Sequence, residues 1–217
     1  MNESGVDYPS RRIRERRGEP GGVGVKPGSY KAVLHFGDQT SEEMINVESD
    51  PRLNVSQANI NQVYAASKDI QSMRQTAADA VKQLVESKTT AEDYSKRLSK
   101  LDKKKYKDDI KSSKDIIKKI DDVIAIYLGK VDKRQGITRN PEPNVNQRLG
   151  NAGFYVGSRQ NGITSTERRL LEQARTALKD ALEKTNTFFN DEWTPYQTKM
   201  ESLNISPFKK IKSFSID

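Results

Sequence analysis

The sequence predicts a mainly α protein: an antiparallel bundle of three long helices with a short crossover helix, preceded by an N-terminal β-hairpin. Two observations carry this prediction. Of the 217 residues, 33% are hydrophobic, 31% charged and 7% aromatic, which suits the narrow apolar seam of a helical bundle better than an all-β sandwich. Apolar residues also alternate with polar ones between residues 29 and 48, and recur every three or four positions from residue 54 onward. These are the periods of a strand and of a helix.

The N-terminal part divides into a lead-in and a hairpin. Residues 1–27 are rich in Arg and Gly and lack a sustained period, so we predict an irregular segment there. Residues 28–50 are predicted to form the hairpin, with Gly37 and Asp38 as its two-residue loop. Four alternate residues give it one apolar face: Tyr30, Ala32, Leu34 and Phe36. Because an isolated hairpin is only marginally stable in water, it needs other strands or a helix to lie on. Without further strands, residues 29–48 either lie on the bundle or present an open edge.

The helical bundle is predicted over residues 54–205. An apolar stripe follows the first helix from Ile60 to Val85. Thr89 and Glu92 then have the spacing of a capping box, which predicts a break or a kink near residue 88. The second helix is predicted over residues 91–130, with or without an interruption at residues 103–105.

The C-terminal part begins with a long connection, residues 131–163, in which we predict a short crossover helix over residues 146–156. Thr164 and Glu167 form a second capping box, which predicts the start of the third long helix. Trp193 is predicted to face the bundle interior rather than to form an exposed ligand platform. Pro195 is expected to kink this helix because it lacks a backbone donor. Residues 206–217 are predicted to be a short tail.

The net charge of +8 is unevenly distributed. Residues 96–134 contain 14 Lys or Arg and 7 Asp. Because acids and bases interleave at helical spacings between Asp108 and Asp122, we favour a solvated face with mutual ion pairs; an anionic partner is the alternative. A second basic cluster is either a polar lead-in or an arm for RNA or acidic surfaces: Arg11, Arg12, Arg14, Arg16 and Arg17.

The residues give no support for a catalytic, cofactor-binding or metal site. The chain has no Cys and one His, His35, which excludes thiol chemistry and multi-histidine metal sites. No Gly-x-Ser-x-Gly or phosphate-loop motif occurs. The paired carboxylates Asp108–Asp109, Asp121–Asp122 and Glu42–Glu43 are adjacent in sequence, so they point apart on a helix or a strand. We therefore predict no enzyme and no cofactor.

Three segments, Val25–Leu34, Gly37–Thr40 and Val47–Leu53, resemble one family. They contain Pro-Gly-Ser-Tyr, Gly-Asp and Asp-Pro-Arg in order. This pattern is similar to the C-terminal region of bacterial exported BNR-repeat (Asp-box) proteins with sortilin-like propellers. The resemblance implies that the hairpin is the remnant of a small β-sandwich that leads into a helical domain. No Asp-box occurs in this sequence, so the glycosyl hydrolase-like activity attributed to such proteins is carried by no residue here.

The function that we predict is a non-enzymatic structural or protein-interaction module, a C-terminal fragment of an exported BNR-repeat parent. Its partner would be the parent's own propeller or another protein, in the periplasm or outside the cell; the location would be cytoplasmic if Met1 is the true start. The alternative is a basic helical protein that binds nucleic acid, weakly, or another polyanion. No membrane insertion is expected, because the longest apolar run, Val123–Leu128, is far shorter than the roughly 20 residues that cross a bilayer.

Overall fold

The computed structural model of the protein describes residues 1–13, 18–131 and 142–205. These residues are mainly helical, with two antiparallel strand pairs before the helices, which confirms the predicted fold class. The elements in chain order are β1 (Asn2–Ser4), β2 (Gly21–Gly24), β3 (Gly28–Phe36), β4 (Gln39–Val47), α1 (Gln57–Asp102), α2 (Lys107–Leu128), α3 (Val145–Gly157), α4 (Ser165–Phe188), a π-helical turn (Phe189–Trp193) and α5 (Thr194–Ser202).

Three long helical legs form the bundle: α1, then α2, then α4 continued by the π turn and α5. α1 and α2 are antiparallel neighbours joined by a four-residue turn, and Lys88 of α1 pairs with Asp121 of α2 at 2.7 Å. Two buried hydrogen bonds join α2 to the third leg. Ser113 and Tyr196 share one at 2.9 Å, and the second joins the hydroxyls of Tyr127 and Thr185 at 2.8 Å.

The predicted crossover helix is confirmed as α3, and it also completes the second leg. α2 ends at Leu128, opposite the middle of α1, and α3 lies beside the earlier part of α1. The Arg74 guanidinium of α1 donates to the Leu149 carbonyl of α3 at 3.4 Å. α3 contributes four buried apolar residues to the common core: Val145, Leu149, Ala152 and Val156.

The first helix does not break near residue 88. α1 runs without interruption for 46 residues, about 69 Å at 1.5 Å per residue. The Thr89 hydroxyl donates to the Val85 carbonyl at 3.0 Å and so caps no helix start. The chain reverses at residues 103–106 instead, where the Asp102 carboxylate accepts the backbone N–H groups of Lys104 and Lys105 at 2.9 and 3.0 Å. The capping-box prediction at Thr89 was therefore wrong, because the buried stripe continues past it through Ala91 and Leu98.

The third leg contains a π-helical turn, Phe189–Trp193, shortly before Pro195. The backbone N–H of Thr194 reaches the Phe189 carbonyl, five residues earlier, and the Thr194 hydroxyl donates to the same carbonyl at 2.9 Å. Trp193 is half-buried rather than enclosed. Its ring packs against Phe189 and Tyr196 with centroid separations of 6.5 and 5.4 Å.

The lead-in, predicted to be irregular, contains one strand pair. β1 and β2 are antiparallel, with Asn2 opposite Gly24 and Ser4 opposite Gly21. Their approach is close enough that a Cβ at Gly22 would overlap the backbone carbonyl of Glu3. Glycine-rich strands carry no alternating pattern, which is why periodicity does not reveal them. The predicted tail, residues 206–217, and Arg14, Arg16 and Arg17 lie outside the described residues.

Candidate functional site: the open hairpin and the cleft at its base

The β3–β4 hairpin is regular over its whole length. Nine residue pairs join the strands, from Gly28 opposite Val47 to Phe36 opposite Gln39. Gly37 has a φ of 59°, a left-handed conformation that glycine adopts without steric cost. The predicted two-residue loop is therefore present, and the pleat places alternate residues on two distinct faces.

One face of the hairpin, here called the apolar face, carries the alternating apolar residues of β3 and is uncovered at its far end. These are Tyr30, Ala32, Leu34 and Phe36, with Ile45 of β4 beside them; the polar residues Gln39, Ser41 and Glu43 of β4 lie on the same face. Leu34 is 68% exposed and Phe36 is 81% exposed. Tyr30, near the base, is half-buried, and its hydroxyl donates to the Lys26 carbonyl at 2.8 Å. The apolar face thus becomes more exposed with distance from the bundle.

The opposite face is more polar. The Lys31 ammonium binds the Glu42 carboxylate at 2.9 Å, and both side chains are about half exposed. His35 is exposed and shares a hydrogen bond with the Thr40 hydroxyl at 3.3 Å. Val33 and Met44 are the large apolar exceptions on this face. The two faces therefore differ in chemistry, and the one with Leu34 and Phe36 is the candidate contact surface.

No described element covers the hairpin, so of the two alternatives expected for residues 29–48 the described chain has the open edge. Within the described ranges, β3 and β4 form a sheet of two strands only, and neither strand packs along a helix. Each strand therefore has an unpaired outer edge with respect to this part of the chain. Such edges and faces are the usual templates for pairing with another chain.

A cleft of about 380 Å³ lies at the base of the hairpin. It is bounded by the segment before β3, the segment after β4, the start of α1 and the end of α3. Val55, Ile60 and Val63 give it an apolar lining, whereas Lys26 and Arg159 are among its charged residues. The Lys26 ammonium lies 4.7 Å from the centre of the Tyr64 ring.

The charged groups of the cleft are engaged by neighbours. Asp50 binds the Arg52 guanidinium at 2.7 Å, and the hydrogen bond from this side chain lowers the pKa of Asp50. Arg159 binds the buried Glu167 carboxylate at 2.8 Å. Because Asp50 and Arg159 are both held in ion pairs, a structural role is favoured for them over acid–base chemistry.

Glu167 is the buried acid of the described chain, and it holds the start of α4. Its carboxylate accepts the backbone N–H of Thr164 at 2.8 Å and the Thr164 hydroxyl at 2.6 Å. Hydrogen bonds from Arg159 and then Thr164 lower the pKa of Glu167 to about 2. The predicted capping box is therefore confirmed. A second one, Asn144 with Gln147 at the start of α3, was not predicted, although its Asn-x-x-Gln spacing is visible in the sequence.

The N-terminal segment is fastened along one polar stripe of α1. The Glu3 carboxylate accepts hydrogen bonds from the Tyr64 hydroxyl and the Lys68 ammonium, the latter at 2.8 Å. These bonds, first that from Lys68, lower the pKa of Glu3. The Gln71 amide donates to the Ser4 carbonyl at 2.9 Å. We call residues 1–13 with β2 the N-terminal strap.

The strap continues across the bundle. Arg74 lies over the Tyr8 ring at 5.1 Å, and the Arg11 guanidinium donates to the carbonyl of Gly129, at the end of α2. Arg11 is thus a structural ligand of a helix terminus, where a cation is favourable. No periodicity in the sequence reveals these contacts, since they join residues more than 60 positions apart.

The acidic residues of α2 pair across helices. Asp109 binds Lys199 of α5 at 2.9 Å, Asp121 binds Lys88 of α1, and Lys119 binds Glu192. Among the described residues, no ion pair joins two residues of α2. The predicted mutual pairs along one helix face are therefore replaced by pairs that connect the legs.

The structure brings the predicted carboxylate pairs into no common site. Glu42, Asp109 and Asp121 each have a cationic partner. Glu42 lies on β4, whereas Asp109 and Asp121 are 12 residues apart on α2. In residues 1–13, 18–131 and 142–205, no group of three or more His, Asp or Glu side chains is placed to hold a metal ion. Nor does any helix in these ranges combine the length and apolar character needed to span a bilayer.

Comparison with known proteins adds no family: no family model, curated protein or solved structure matches the chain. The similarity of Val25–Leu34 and Val47–Leu53 to exported BNR-repeat proteins therefore stays a prediction. The candidate site rests on the geometry of the hairpin alone.

Proposed function

We propose that the protein is a non-enzymatic structural or protein-interaction module that binds a β-rich protein partner through the apolar face of its hairpin. The observation that carries this proposal is the exposure of Leu34 and Phe36 on a regular two-stranded sheet that no described element covers.

The free energy available at this face is substantial. Removing a Leu or Phe side chain fully from water is worth about 1.5–3 kcal/mol each. A partner that covers Leu34 and Phe36 would gain most of that amount, because both are largely exposed. Partner sheets pack face to face over such residues, and partner strands can also join a free edge through main-chain hydrogen bonds.

The attachment of the hairpin suits presentation to a partner. Its base is tied to the cleft through Tyr30 and Lys26, whereas its far end stands away from the helices. The resemblance to exported BNR-repeat proteins implies that the partner is the rest of a β-sandwich in the parent protein. We propose this parent, with its periplasmic or extracellular location, as the source of the partner.

Site-specific photo-crosslinking in the producing cell tests the proposal. A photoreactive phenylalanine analogue replaces Phe36 on the apolar face, and in a matched control it replaces His35 on the opposite face. We expect one cross-linked protein of defined mass from position 36 and a much weaker product from position 35. Equal yields from both positions, or no product from position 36, would overturn the proposal. A product with twice the mass of the chain would overturn it in favour of self-association.

A further inference from the structure

A basic tip lies at the end of the bundle where α1 turns into α2. Residues 96–107 contain seven Lys or Arg and one Asp, a net charge of 7 − 1 = +6. All seven cationic residues are exposed. They are Lys96, Arg97, Lys100, Lys103, Lys104, Lys105 and Lys107.

The charge of this tip is poorly compensated. Lys96 has a partner in Asp93 at 3.6 Å, and the other six form no ion pair among the described residues. The Asp102 carboxylate is directed to the backbone of the turn, where it accepts two N–H groups. Farther along α2, by contrast, residues 108–128 contain four Lys and five Asp, and Asp109, Lys119 and Asp121 pair with other elements.

An apolar residue sits among these cations. Leu101 is 55% exposed in the last turn of α1, directly after Lys100 and four residues after Arg97. Against a phosphate backbone such a side chain gains little. At the boundary between lipid headgroups and acyl chains it is favourable, and the stems of lysines beside it can lie in the same layer.

The tip lacks the other features of a nucleic-acid site. Six of its seven cations are Lys, which act as point charges without the bidentate geometry of Arg. Its one aromatic residue, Tyr106, is half-buried and has the Lys105 ammonium 5.1 Å from its ring centre, so the ring is not free to stack on a base.

From these observations we infer that the basic tip binds the surface of membranes that contain anionic lipids, peripherally and without insertion of a helix. Clusters of four to eight basic residues on a helical segment are typical of such binding. The interaction is distinct from the hairpin contact, since the tip lies at the opposite end of α1.

Co-sedimentation with vesicles tests the inference. The probes are phosphatidylcholine vesicles with and without about 30% phosphatidylserine, at low salt and near physiological salt. We expect binding to the anionic vesicles that weakens with salt, and none to pure phosphatidylcholine. Equal binding to both vesicle types, or no binding to anionic vesicles at low salt, would overturn the inference.

Matched variants distinguish an effect of the basic tip on binding from an effect of the net charge of the protein. The triple change Lys103→Gln, Lys104→Gln and Lys105→Gln should weaken binding roughly 100-fold, since each charge near the surface is worth roughly fivefold. The control removes the same charge from the α2 face: Lys111→Gln, Lys114→Gln and Lys118→Gln. It should change binding far less. An equal loss in both triples would show that only net charge matters and would contradict the inference.

Three further measurements complete the test. Leu101→Ser should weaken binding roughly tenfold, and thermal melting of all variants should match the parent chain because the changed side chains are exposed. If duplex DNA at the same phosphate concentration displaces the protein from anionic vesicles, the tip is a nucleic-acid site and the inference fails.

Discussion

This protein has two antiparallel strand pairs. One is fastened to the helical bundle, and the other is not. β1–β2 belongs to a strap that Tyr64, Lys68 and Gln71 of α1 fasten through Glu3 and Ser4. β3–β4 is longer and more regular, yet neither of its strands packs along a described helix. Docking therefore depends on which side chains the neighbouring helix presents rather than on the quality of the strand pairing.

The stripe on α1 shows how this difference arises. Residues 64, 68, 71 and 75 follow one another by four, three and four positions and so share one face of the helix. They carry a phenol, an ammonium and two amides, and each of them contacts the strap. The hairpin has no such stripe beside it, and its apolar face stays open.

The largest effect is expected in amide hydrogen exchange. Amides in the buried seams of α1 and α4 should exchange only through global opening, which for a domain requires about 5–15 kcal/mol. Hairpin amides should open locally and exchange many orders of magnitude faster, with β1–β2 between them. Protection of residues 29–48 equal to that of residues 170–190 would show that something holds the hairpin as firmly as the core.

Side-chain truncation should give the next largest contrast. Leu84→Ala removes a fully buried side chain from the α1 seam and should lower the free energy of unfolding by about 2–5 kcal/mol. Phe36→Ala removes a larger side chain from the exposed hairpin and should change it by less than about 0.5 kcal/mol. Urea titrations of both variants measure the difference. A cost for Phe36→Ala close to that of Leu84→Ala would contradict an open hairpin.

Weakening the contacts of the strap should make the amide exchange rates of the two strand pairs more alike. Glu3→Gln removes the charge that Lys68 binds, so β1–β2 amides should exchange at rates closer to those of the hairpin. The matched control, Glu42→Gln, removes the ion pair to Lys31 within the hairpin and should leave the strap amides unchanged. If Glu3→Gln has no effect on strap exchange, then the contacts of Tyr8 and Arg11 hold the strap instead.

The smallest effect is a pH dependence at the start of α4. The pKa of Glu167 falls from 4.5 to about 2 on folding, chiefly through the hydrogen bond from Arg159. A depressed carboxyl pKa stabilises the folded state fully above the unfolded value, and this contribution disappears as the pH falls from about 4.5 to about 2. Glu167→Gln should therefore flatten the stability profile in that window. NMR titration of the Glu167 carboxyl with a midpoint near 4.5 would contradict the assignment.

Local pattern was sufficient for the β3–β4 hairpin and the helices, but not for the β1–β2 pair or for all of the helix limits. The alternation from Tyr30 to Phe36 and the Gly37–Asp38 loop predicted the hairpin with its correct loop. The three-four period predicted α1, α2, α3 and the third leg. Thr164–Glu167 and Thr89–Glu92 have the same spacing, yet only the first caps a helix. Burial of Ala91 and Leu98 against other helices favours continuation at the second, and the sequence does not show that burial.

By itself, the sequence determined the helical bundle, the hairpin and the concentration of positive charge, because these depend on the order of apolar and charged residues along a few turns. Tertiary structure decided which strand pair is fastened and which stays open, since the contacts of Glu3, Ser4 and Arg11 join residues that are far apart in the chain. It also decided where the charge is compensated. Two acids of α2 meet cations of α1 and α5, whereas six of the seven cations of the tip form no ion pair in the described chain. The pairing depends on which side chains the packed helices bring within reach of one another, and no local pattern encodes that.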